Sequence, residues 1–347
     1  MTTNSFDDSE SVRREWLESF ASRFAIRSIF DLLDEISRLN VGLVGEIIID
    51  KYTFVDALSK SSKDPILAFR LGRTSTFPGG ILAIASNISG WVKSVQILSS
   101  CRTGDETSIF PMNLAGTSFH LISTDSPTIT KHRYVDQGTN AKVFETYDFD
   151  PNFFSTWKVD EDIVSSAISS CDLTIVADYG HGLMTPEMIQ MVTNFSNYIC
   201  VNVQSNAGNR GFNTFDKYER FNFFTANSGE LQIQSRLLNP NYDYLMRKLL
   251  KTKSAHMGIM TEGQRGLTIF TDESSCSAPS LAVNVLDKVG AGDSVLAISS
   301  LLAYVGAPID VIAFLSNLVA AREVSLQGHQ DPLSIDQLKE QILRTLR

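Results

Sequence analysis

A short glycine-rich segment in the last fifth of the chain carries the residues best suited to chemistry. Gly290, Ala291 and Gly292 precede Asp293, and an apolar stretch with helical spacing follows at once. Small residues at a helix N-terminus let a ligand approach the backbone, where the N–H groups and the positive helix end favour an anion. A carboxylate in that first turn can accept a proton from an attacking hydroxyl. The alternative, a tight turn in which Asp293 only caps the helix, is the better interpretation of such a short motif in isolation.

Charged residues elsewhere in the chain could bind a substrate. Lys131 and Arg133 lie two residues apart in TITKHRY, so a strand would place both on one face. Such a pair can hold a phosphate group, although a solvated strand face is an equally good interpretation. Asp178 ends an apolar run that predicts a core strand, and ligands of open α/β sheets bind beyond the carboxyl ends of strands. Asp178 is therefore a candidate substrate-binding residue.

Alternating strand and helix patterns predict the scaffold that positions these residues. Residues 41–50 form a nearly continuous apolar run, which is typical of a strand buried on both faces of a parallel sheet. The fold class is therefore α/β, a doubly wound and mostly parallel sheet with helices on both faces. Further strands are predicted at 173–178, 198–203, 221–226, 256–261 and 280–286, and helices at 185–197, 240–252, 291–304, 309–323 and 333–345.

Two regions break the alternation of strands and helices. Residues from about 51 to 75 and from 128 to 149 contain short runs in which apolar and polar residues alternate, as in strands with one solvated face. We expect them to form a small β-sheet lid within an α/β domain that spans residues 41–347. Residues 1–40 are predicted to form an N-terminal tail and helix, because Trp16, Phe20 and Phe24 recur at helical spacing.

The composition argues against several classes of protein. The 347 residues carry a formal net charge of −9, which disfavours nucleic acid as a partner, since proteins that bind it usually present a basic face. The four cysteines are widely separated, so neither a disulfide framework nor a zinc site is expected. The polar, acidic N-terminus is unlike a signal peptide, and no apolar stretch is long enough to cross a bilayer. The predicted location is the cytoplasm, without a membrane partner.

The glycine-rich segment resembles the C-terminal signature of the ribokinase-like (PfkB) carbohydrate kinases, D-T-x-G-A-G-D. Asp287 and the run from Gly290 to Asp293 match this signature, whereas Lys288 and Val289 depart from it. The resemblance implies that Asp293 is the catalytic base and that the three small residues before it shape an anion hole. It also implies that the cofactors are ATP and Mg²⁺.

Other segments resemble motifs of the same family, in the same order along the chain. Gly79 and Gly80 are similar to its sugar-side glycine pair, and Asp50 is similar to its aspartate that hydrogen-bonds sugar hydroxyls. Asn227 and Glu230 fit its N-x-x-E motif, so Glu230 is implied to organise Mg²⁺ through water. Asp50 could instead merely end a strand, and Glu230 could sit in the first turn of a helix. The resemblance adds Asn87 on the substrate side and, on the nucleotide side, Thr261, Gly263, Gly266, Asp287 and Asn317.

Within this family, the segments VGLVGEIIIDKY, RTSTFPGGILAIASNI, TITKHRY and ADYGHGLMT resemble bacterial heptose-7-phosphate kinases. The implied reaction is ATP-dependent phosphorylation of a sugar or sugar phosphate, and the implied assembly is a homodimer through the lid. His181 stands at a lysine position of those kinases, where it could supply a positive contact or hydrogen-bond within its loop.

The chain also departs from that pattern. Ala83 replaces a family asparagine, and Asn202–Ser205 replaces a D-P-K-G-like run. These departures, together with Lys288, motivate an alternative function, that of a non-catalytic sugar-phosphate-binding protein on a kinase fold. A nucleotide-binding oxidoreductase is disfavoured, because no G-x-G-x-x-G follows the first predicted strand.

Overall fold

The computed structural model describes residues 4–60, 63–105, 114, 116–150, 159–326 and 332–347, with the backbone alone for residues 4–9. It contains a large sheet flanked by helices and a separate small sheet. The predicted fold class, a doubly wound and mostly parallel α/β sheet with a small β-sheet beside it, is confirmed.

The strands of the large sheet coincide with the apolar runs of the sequence. Their bounds are β1 Asn40–Gly45, β4 Ser94–Arg102, β5 Thr117–Thr124, β8 Leu173–Asp178, β9 Ile199–Val203, β10 Phe223–Asn227, β11 Met257–Thr261, β12 Leu267–Thr271 and β13 Ser275–Ala278. The order across the sheet is β13-β12-β11-β10-β9-β8-β1-β4-β5. Neighbours from β11 to β5 are parallel, and the last two pairs, β11–β12 and β12–β13, are antiparallel.

Helices cover both faces of this sheet. Their bounds are α1 Asn4–Arg23, α2 Ile26–Ile36, α3 Ile81–Ile88, α4 Glu161–Ile168, α5 Pro186–Phe195, α6 Ser228–Ser235, α7 Tyr242–Lys253, α8 Ala291–Tyr304, α9 Ile309–Glu323 and α10 Ile335–Thr345. One apolar cluster joins α1, α2, α3, α8 and α9 to the sheet, and a second joins α4, α5 and α7 to it. Phe20 and Ile29 are fully buried in the first cluster, so both N-terminal helices pack on the main core.

The run at residues 41–50 does not form the single strand predicted from its hydrophobicity. It divides after Gly45, and the residues beyond Glu46 enter the small sheet. A side chain at Gly45 would collide with the backbone of Ala177 on β8. Glu46 is fully buried, and its carboxylate accepts hydrogen bonds from the backbone N–H groups of the loop after β8. An apolar pattern reports burial only, so it could not reveal that the chain changes sheets here.

The small sheet, called the lid below, has the strands β2 Ile47–Lys60, β3 Leu67–Gly80, β6 Ile129–Asp136 and β7 Lys142–Asp148, in the order β3-β2-β6-β7. Burial alternates along β6, and Ile129, Lys131, Arg133 and Val135 share its buried face. The interpretation of Lys131 and Arg133 as a solvated strand face is therefore wrong.

The segment 280–286, predicted as a strand, contains no strand in the structure. Val283, Val285 and Leu286 are exposed, because this segment runs past the edge strand β13 without joining the ladder. Upstream, the helical region begins at Asn4 and comprises two helices. The division into residues 1–40 and 41–347 stays a prediction. Within the described residues, no helix has the length and apolar character needed to span a bilayer.

Candidate active site

The first turn of α8 holds the candidate catalytic group. Gly290, with φ of 85°, precedes the helix in a left-handed conformation that favours glycine, and Asp293 lies in the first turn with 8% of its surface exposed. A side chain added at Gly292 would meet no protein atom within 4 Å. The space in front of this helix end is therefore not needed for the packing of the protein itself and is available to a ligand.

Two cavities meet at this helix end. The smaller one, of about 390 Å³, contains Asp293 in its wall, and the larger one encloses about 710 Å³. Thr261, Lys288 and Gly292 line both cavities. Asn227 and Thr261 end neighbouring parallel strands, so the smaller cavity lies at the carboxyl edge of the sheet, where α/β proteins bind ligands. A ligand in each cavity would bring its reacting end to Gly292.

Charged residues of the lid form one wall of the smaller cavity. Asp50 and Arg133 are both buried and form an ion pair across neighbouring strands. Lys131 is 7% exposed and makes no ion pair with a described residue. Its ammonium lies 5.4 Å from the ring centre of Tyr147 and 5.8 Å from that of Tyr179. Burial lowers the pKa of Lys131, and nearby Asp50 opposes that shift. The wall thus offers a desolvated cation to an anionic ligand.

Two neutral donors hold the Asp293 carboxylate. The Tyr179 hydroxyl donates to Asp293 Oδ1 at 3.0 Å, and Gln204 Nε2 donates to the same oxygen at 2.9 Å. Gln204 belongs to the run that replaces the family's D-P-K-G-like segment. The sequence indicated that this run is unusual, but not that it reaches Asp293. Tyr179 was missed because a tyrosine after a core strand has no distinctive spacing.

Asn227 and Glu230 form a capping box at the start of α6. The Asn227 side chain accepts from the Glu230 N–H, and the Glu230 carboxylate accepts from the Asn227 N–H at 2.8 Å. Burial raises the pKa of Glu230 to about 7. A half-buried carboxylate in the cavity wall favours a nearby cation, which fits the role implied for Mg²⁺. Among the described residues, no group of three or more His, Cys, Asp or Glu side chains could hold a metal ion, so water and ligand phosphates would have to complete its shell.

Apolar side chains form much of the wall of the larger cavity, and polar or charged side chains such as Gln264, Arg265 and Lys288 line the rest. Gly263 and Gly266 line it from the turn between β11 and β12, and Ala291 lines it from α8. Asn317 is 5% exposed and projects from α9. A flat apolar ring with a polar edge, such as a purine, suits this surface. The apolar residues of the wall are Leu267, Ala282, Val283, Val285, Val295, Ala320, Ala321 and Val324.

Most of the site residues predicted from the sequence line these cavities. The smaller cavity brings together Asp50, Gly80, Lys131, Arg133, Asn227, Glu230, Thr261, Gly290, Gly292 and Asp293. The larger cavity brings together Thr261, Gly263, Gly266, Ala291, Gly292 and Asn317. Gly79 lines neither, but it leaves room for the carboxylate of Asp50, which a side chain there would strike.

Asp178 and Asn87, both predicted to bind substrate, have structural roles instead. Asp178 is fully buried; it accepts a hydrogen bond from the Tyr218 hydroxyl at 2.7 Å and pairs with Lys217 at 2.5 Å. Asn87 donates to the Ser294 hydroxyl at 3.0 Å and so joins α3 to α8 beside the catalytic turn. Neither side chain lines either of the two cavities, because local contacts already satisfy it.

Asp287, predicted to bind the nucleotide, instead ties the lid to the loop before α8. It accepts hydrogen bonds from the Tyr52 hydroxyl at 2.9 Å, from Lys142 Nζ at 2.7 Å and from the Val289 N–H at 3.1 Å. Burial alone would raise the pKa of Asp287, but the hydrogen bonds from Lys142 and Val289 outweigh it and hold that pKa below its usual value. The carboxylate therefore stays ionised as an anchor.

The side chain of His181 makes neither the positive contact nor the hydrogen bond within its loop that the sequence suggested. Its side chain is buried, with its ring centre 5.0 Å from that of Phe149, and neither ring nitrogen has a hydrogen-bond partner among the described residues. Burial and then the charge of Lys131 lower the pKa of His181 to about 3. The residue is thus a neutral packing group behind the smaller cavity.

A buried carboxylate at a helix N-terminus lies between two cavities on this α/β scaffold, and the family to which the chain belongs consists of phosphotransferases that act on sugar hydroxyls. The chain belongs to the pfkB family of carbohydrate kinases, whose model matches residues 43–336. Solved structures with the same fold include ribokinase from Thermotoga maritima (TM-score 0.67, 15% identity, covering 88% of this chain and 99% of that one). The nucleoside kinase of Methanocaldococcus jannaschii has a TM-score of 0.64 at 17% identity and covers 89% of this chain and 99% of its own.

Curated relatives with similar sequences are bifunctional proteins named HldE. The one from Wolinella succinogenes is 24% identical over 305 residues, which cover 86% of this chain and 63% of that protein. The one from Koribacter versatilis is 22% identical over 334 residues, covering 94% and 64%. This chain therefore spans somewhat less than two thirds of the length of these relatives.

Proposed function

We propose that this kinase transfers the γ-phosphoryl group of ATP to a hydroxyl of a sugar phosphate of the heptose-7-phosphate kind. The observation that carries the proposal is the meeting of two cavities at the N-terminus of α8, with Asp293 in the wall of the smaller one. The resemblance of four segments to heptose-7-phosphate kinases and the similarity to HldE proteins support the choice of sugar.

In the proposed reaction, Asp293 takes the proton of the attacking sugar hydroxyl. The hydroxyl oxygen bonds to the γ-phosphorus as the bond from that phosphorus to the β-γ bridging oxygen breaks, and ADP leaves. Backbone N–H groups at residues 290–293 stabilise the charge on the transferred group. Tyr179 and Gln204 hold the base in position from its Oδ1 side. The two cavities align donor and acceptor, which is the main source of rate in phosphoryl transfer.

We assign the phosphate already present on the sugar to the Lys131 side of the smaller cavity. Lys131 has no carboxylate partner among the described residues, whereas Arg133 is neutralised by Asp50. A buried, unpaired ammonium gains most from an anionic ligand, because its desolvation is otherwise uncompensated. Asp50 remains available to accept hydrogen bonds from sugar hydroxyls on its second oxygen.

Mg²⁺ would be held near Glu230 and Asn227, where it would neutralise charge on the nucleotide phosphates. Glu230 would hold the ion through water, because both of its capping contacts with Asn227 remain in place.

ATP as donor supports a cytoplasmic location. A homodimer through the lid is part of the proposal, and the exposed aromatic outer face of the lid supports it: Phe144 stacks on Tyr134, and Tyr134 stacks on His132.

The test is ADP release with Mg·ATP against a panel of free and phosphorylated sugars, including heptose 7-phosphate. We expect turnover with one phosphorylated sugar and a loss of about 10²- to 10⁴-fold in kcat for Asp293→Asn. Asp216→Asn, a surface change of the same type, is the control. Near-normal turnover in Asp293→Asn would refute the base assignment. Tight sugar-phosphate binding without any turnover would support the non-catalytic alternative.

A further inference from the structure

The N-terminal helix α1 borders the larger cavity, although it lies outside the part of the chain that the family model matches. That match begins at residue 43, whereas α1 spans Asn4–Arg23. Glu10 and Arg13 nevertheless line the larger cavity, and neither lines the smaller one. Part of the wall of the larger cavity is therefore formed by residues outside the stretch that the family model matches.

Arg13 fastens the loop that forms the opposite part of that wall. Its Nε donates to the carbonyl of Ser280 at 3.0 Å, and its Nη2 donates to the carbonyl of Ala282 at 3.2 Å. Trp16 Nε1 donates to the carbonyl of Ser277, which lies three residues before Ser280, at 3.2 Å. One guanidinium thus holds two carbonyls of the segment 280–286, which has no strand partner of its own.

The other end of this loop is fastened independently of α1. The N–H groups of Leu286 and Asp287 donate to the carbonyl of Val324 on the far side of the cavity, at 2.7 and 3.2 Å. Between the two attachments, Val283 is 78% exposed and Val285 is 41% exposed, and both line the cavity. Without Arg13, the valine-bearing segment would keep the buried side chain of Leu281 and its C-terminal attachment, but the carbonyls of Ser280 and Ala282 would lose the hydrogen bonds that hold them toward α1.

Helix α1 is itself anchored firmly enough to serve as a support. Phe20 is fully buried and stacks on Phe314 of α9 with ring centres 4.6 Å apart. Arg23 pairs with Asp310 at 2.9 Å, near the start of the same helix. Because α9 also carries Asn317 and Ala320 of the cavity wall, α1, α9 and the loop form one connected frame.

We propose that α1 is part of the nucleotide site and that Arg13 is a positioning residue for the nucleoside. This inference rests on the proposed function, in which the larger cavity takes ATP. The triphosphate must reach the end that the two cavities share, at Thr261, Lys288 and Gly292. The nucleobase and ribose therefore occupy the part of the larger cavity that the smaller cavity does not share. There Arg13 keeps Val283 and Val285 in place against the base, and α1 closes the cavity beside them.

The test is titration calorimetry of the full chain with Mg·ADP and, separately, with Mg·tripolyphosphate. Arg13→Ala should raise the Kd of Mg·ADP about tenfold, the effect of losing charge-assisted hydrogen bonds that order the loop. The Kd of Mg·tripolyphosphate should change less than about twofold, because phosphates bind at the shared end. Arg14→Ala, which alters an exposed neighbour on the same helix, should leave both values unchanged.

The unfolding temperature without ligand shows whether each variant is folded. If Arg13→Ala does not fold, Arg13→Lys takes its place: one ammonium cannot hold both carbonyls as the guanidinium does, so Mg·ADP should again weaken selectively. Equal Mg·ADP affinity in wild type and the Arg13 variant, or equal weakening of both ligands, would overturn the inference while leaving the proposed function intact. Failure of the wild type to bind Mg·ADP would overturn the proposed function, and this inference with it.

Discussion

At the scale of single residues, the candidate site depends on how Asp293 is held. Two uncharged donors, Tyr179 and Gln204, converge on one of its oxygens. Two donors on one oxygen fix the orientation of the carboxylate, which the proposed role of Asp293 as a base requires. A lysine, which the family pattern would lead one to expect in the D-P-K-G-like run, would have placed a full positive charge in this region.

Replacing Gln204 by glutamate tests this contact. The change puts a second carboxylate beside Asp293, and a like charge raises the pKa of its neighbour. We expect the acid limb of the pH profile of kcat/KM to move to higher pH by about one unit, with a lower rate at pH 6 and partial recovery at pH 8. Gln204→Leu removes one donor to the Asp293 carboxylate without adding a charge, so it should move the limb upward by less than Gln204→Glu does. An unshifted limb in Gln204→Glu would contradict a direct contact with the base.

The charge state of Glu46 affects how the stability of the protein depends on pH. Burial, followed by the charge of Asp178, raises the pKa of Glu46 to about 7, although the charge of Lys217 and the N–H group of Tyr179 oppose the shift. A carboxyl with a raised folded pKa binds its proton more tightly in the native state than in the unfolded state. The ionisation of Glu46 therefore lowers the free energy of unfolding as pH rises from about 4.5 to about 7. Above about pH 7 it causes no further loss of stability.

We expect Glu46→Gln to remove this dependence, since the amide does not titrate. Urea unfolding of both proteins between pH 5 and 8 would measure it. Identical pH slopes in the two proteins would show that Glu46 is not the titrating group. Glu187→Gln, on the exposed first turn of α5, is the matched control.

At the scale of elements, Asp287 connects the lid to the loop before α8. It holds Tyr52 of β2 and Lys142 of β7 while its Oδ1 accepts from the Val289 N–H. The sequence motif suggested a contact with the nucleotide, but the carboxylate of Asp287 forms its hydrogen bonds with side chains of the lid instead. A change in the position of the lid would therefore reach the loop before α8, and in the proposed function the lid would also limit the access of water to the site.

Weakening this connection should increase wasteful hydrolysis. Asp287→Asn loses the ion pair with the half-exposed Lys142, which is worth about 1 kcal/mol at most in such a setting. We expect ADP release without sugar to rise up to about fivefold relative to release with sugar. The control is Asp56→Asn, which breaks the ion pair with Arg70 on the exposed part of the lid. A rise of equal size in the control would exclude a specific role for Asp287.

At the scale of the whole molecule, the lid has two different faces. One face lines the smaller cavity with Lys131 and Arg133. The other carries the stacked rings of His132, Tyr134 and Phe144, and Phe144 is 46% exposed. Apolar rings exposed beside one another favour association. The lid could thus serve both the site and the proposed dimer.

We expect Phe144→Asp to convert the dimer to a monomer in sedimentation velocity, because a charge in an apolar interface is costly to desolvate. Phe212→Asp is the control, since Phe212 is 90% exposed on the loop after β9, away from the lid. A monomeric wild type, or a dimer that survives the change at Phe144, would contradict assembly through this face.

The sequence by itself determined the α/β class and the bounds of most elements from β8 onwards. Predicted runs at 173–178 and 291–304 coincide with β8 and α8. Hydrophobic period and length suffice there, because strands buried on both faces and long apolar helices have unambiguous patterns. The glycine-rich turn with Asp293 was also found, since its residue types are dictated locally by the backbone.

Tertiary structure alone decided what each polar residue contacts. The division of residues 41–50 between two sheets depends on Gly45 packing against Ala177, and the role of Asp178 depends on Lys217 and Tyr218. Arg13 meets Ser280 across 267 positions of sequence. Periodicity reports whether a residue is buried but not which distant partner satisfies it, because that partner is brought near only when the sheets and helices pack.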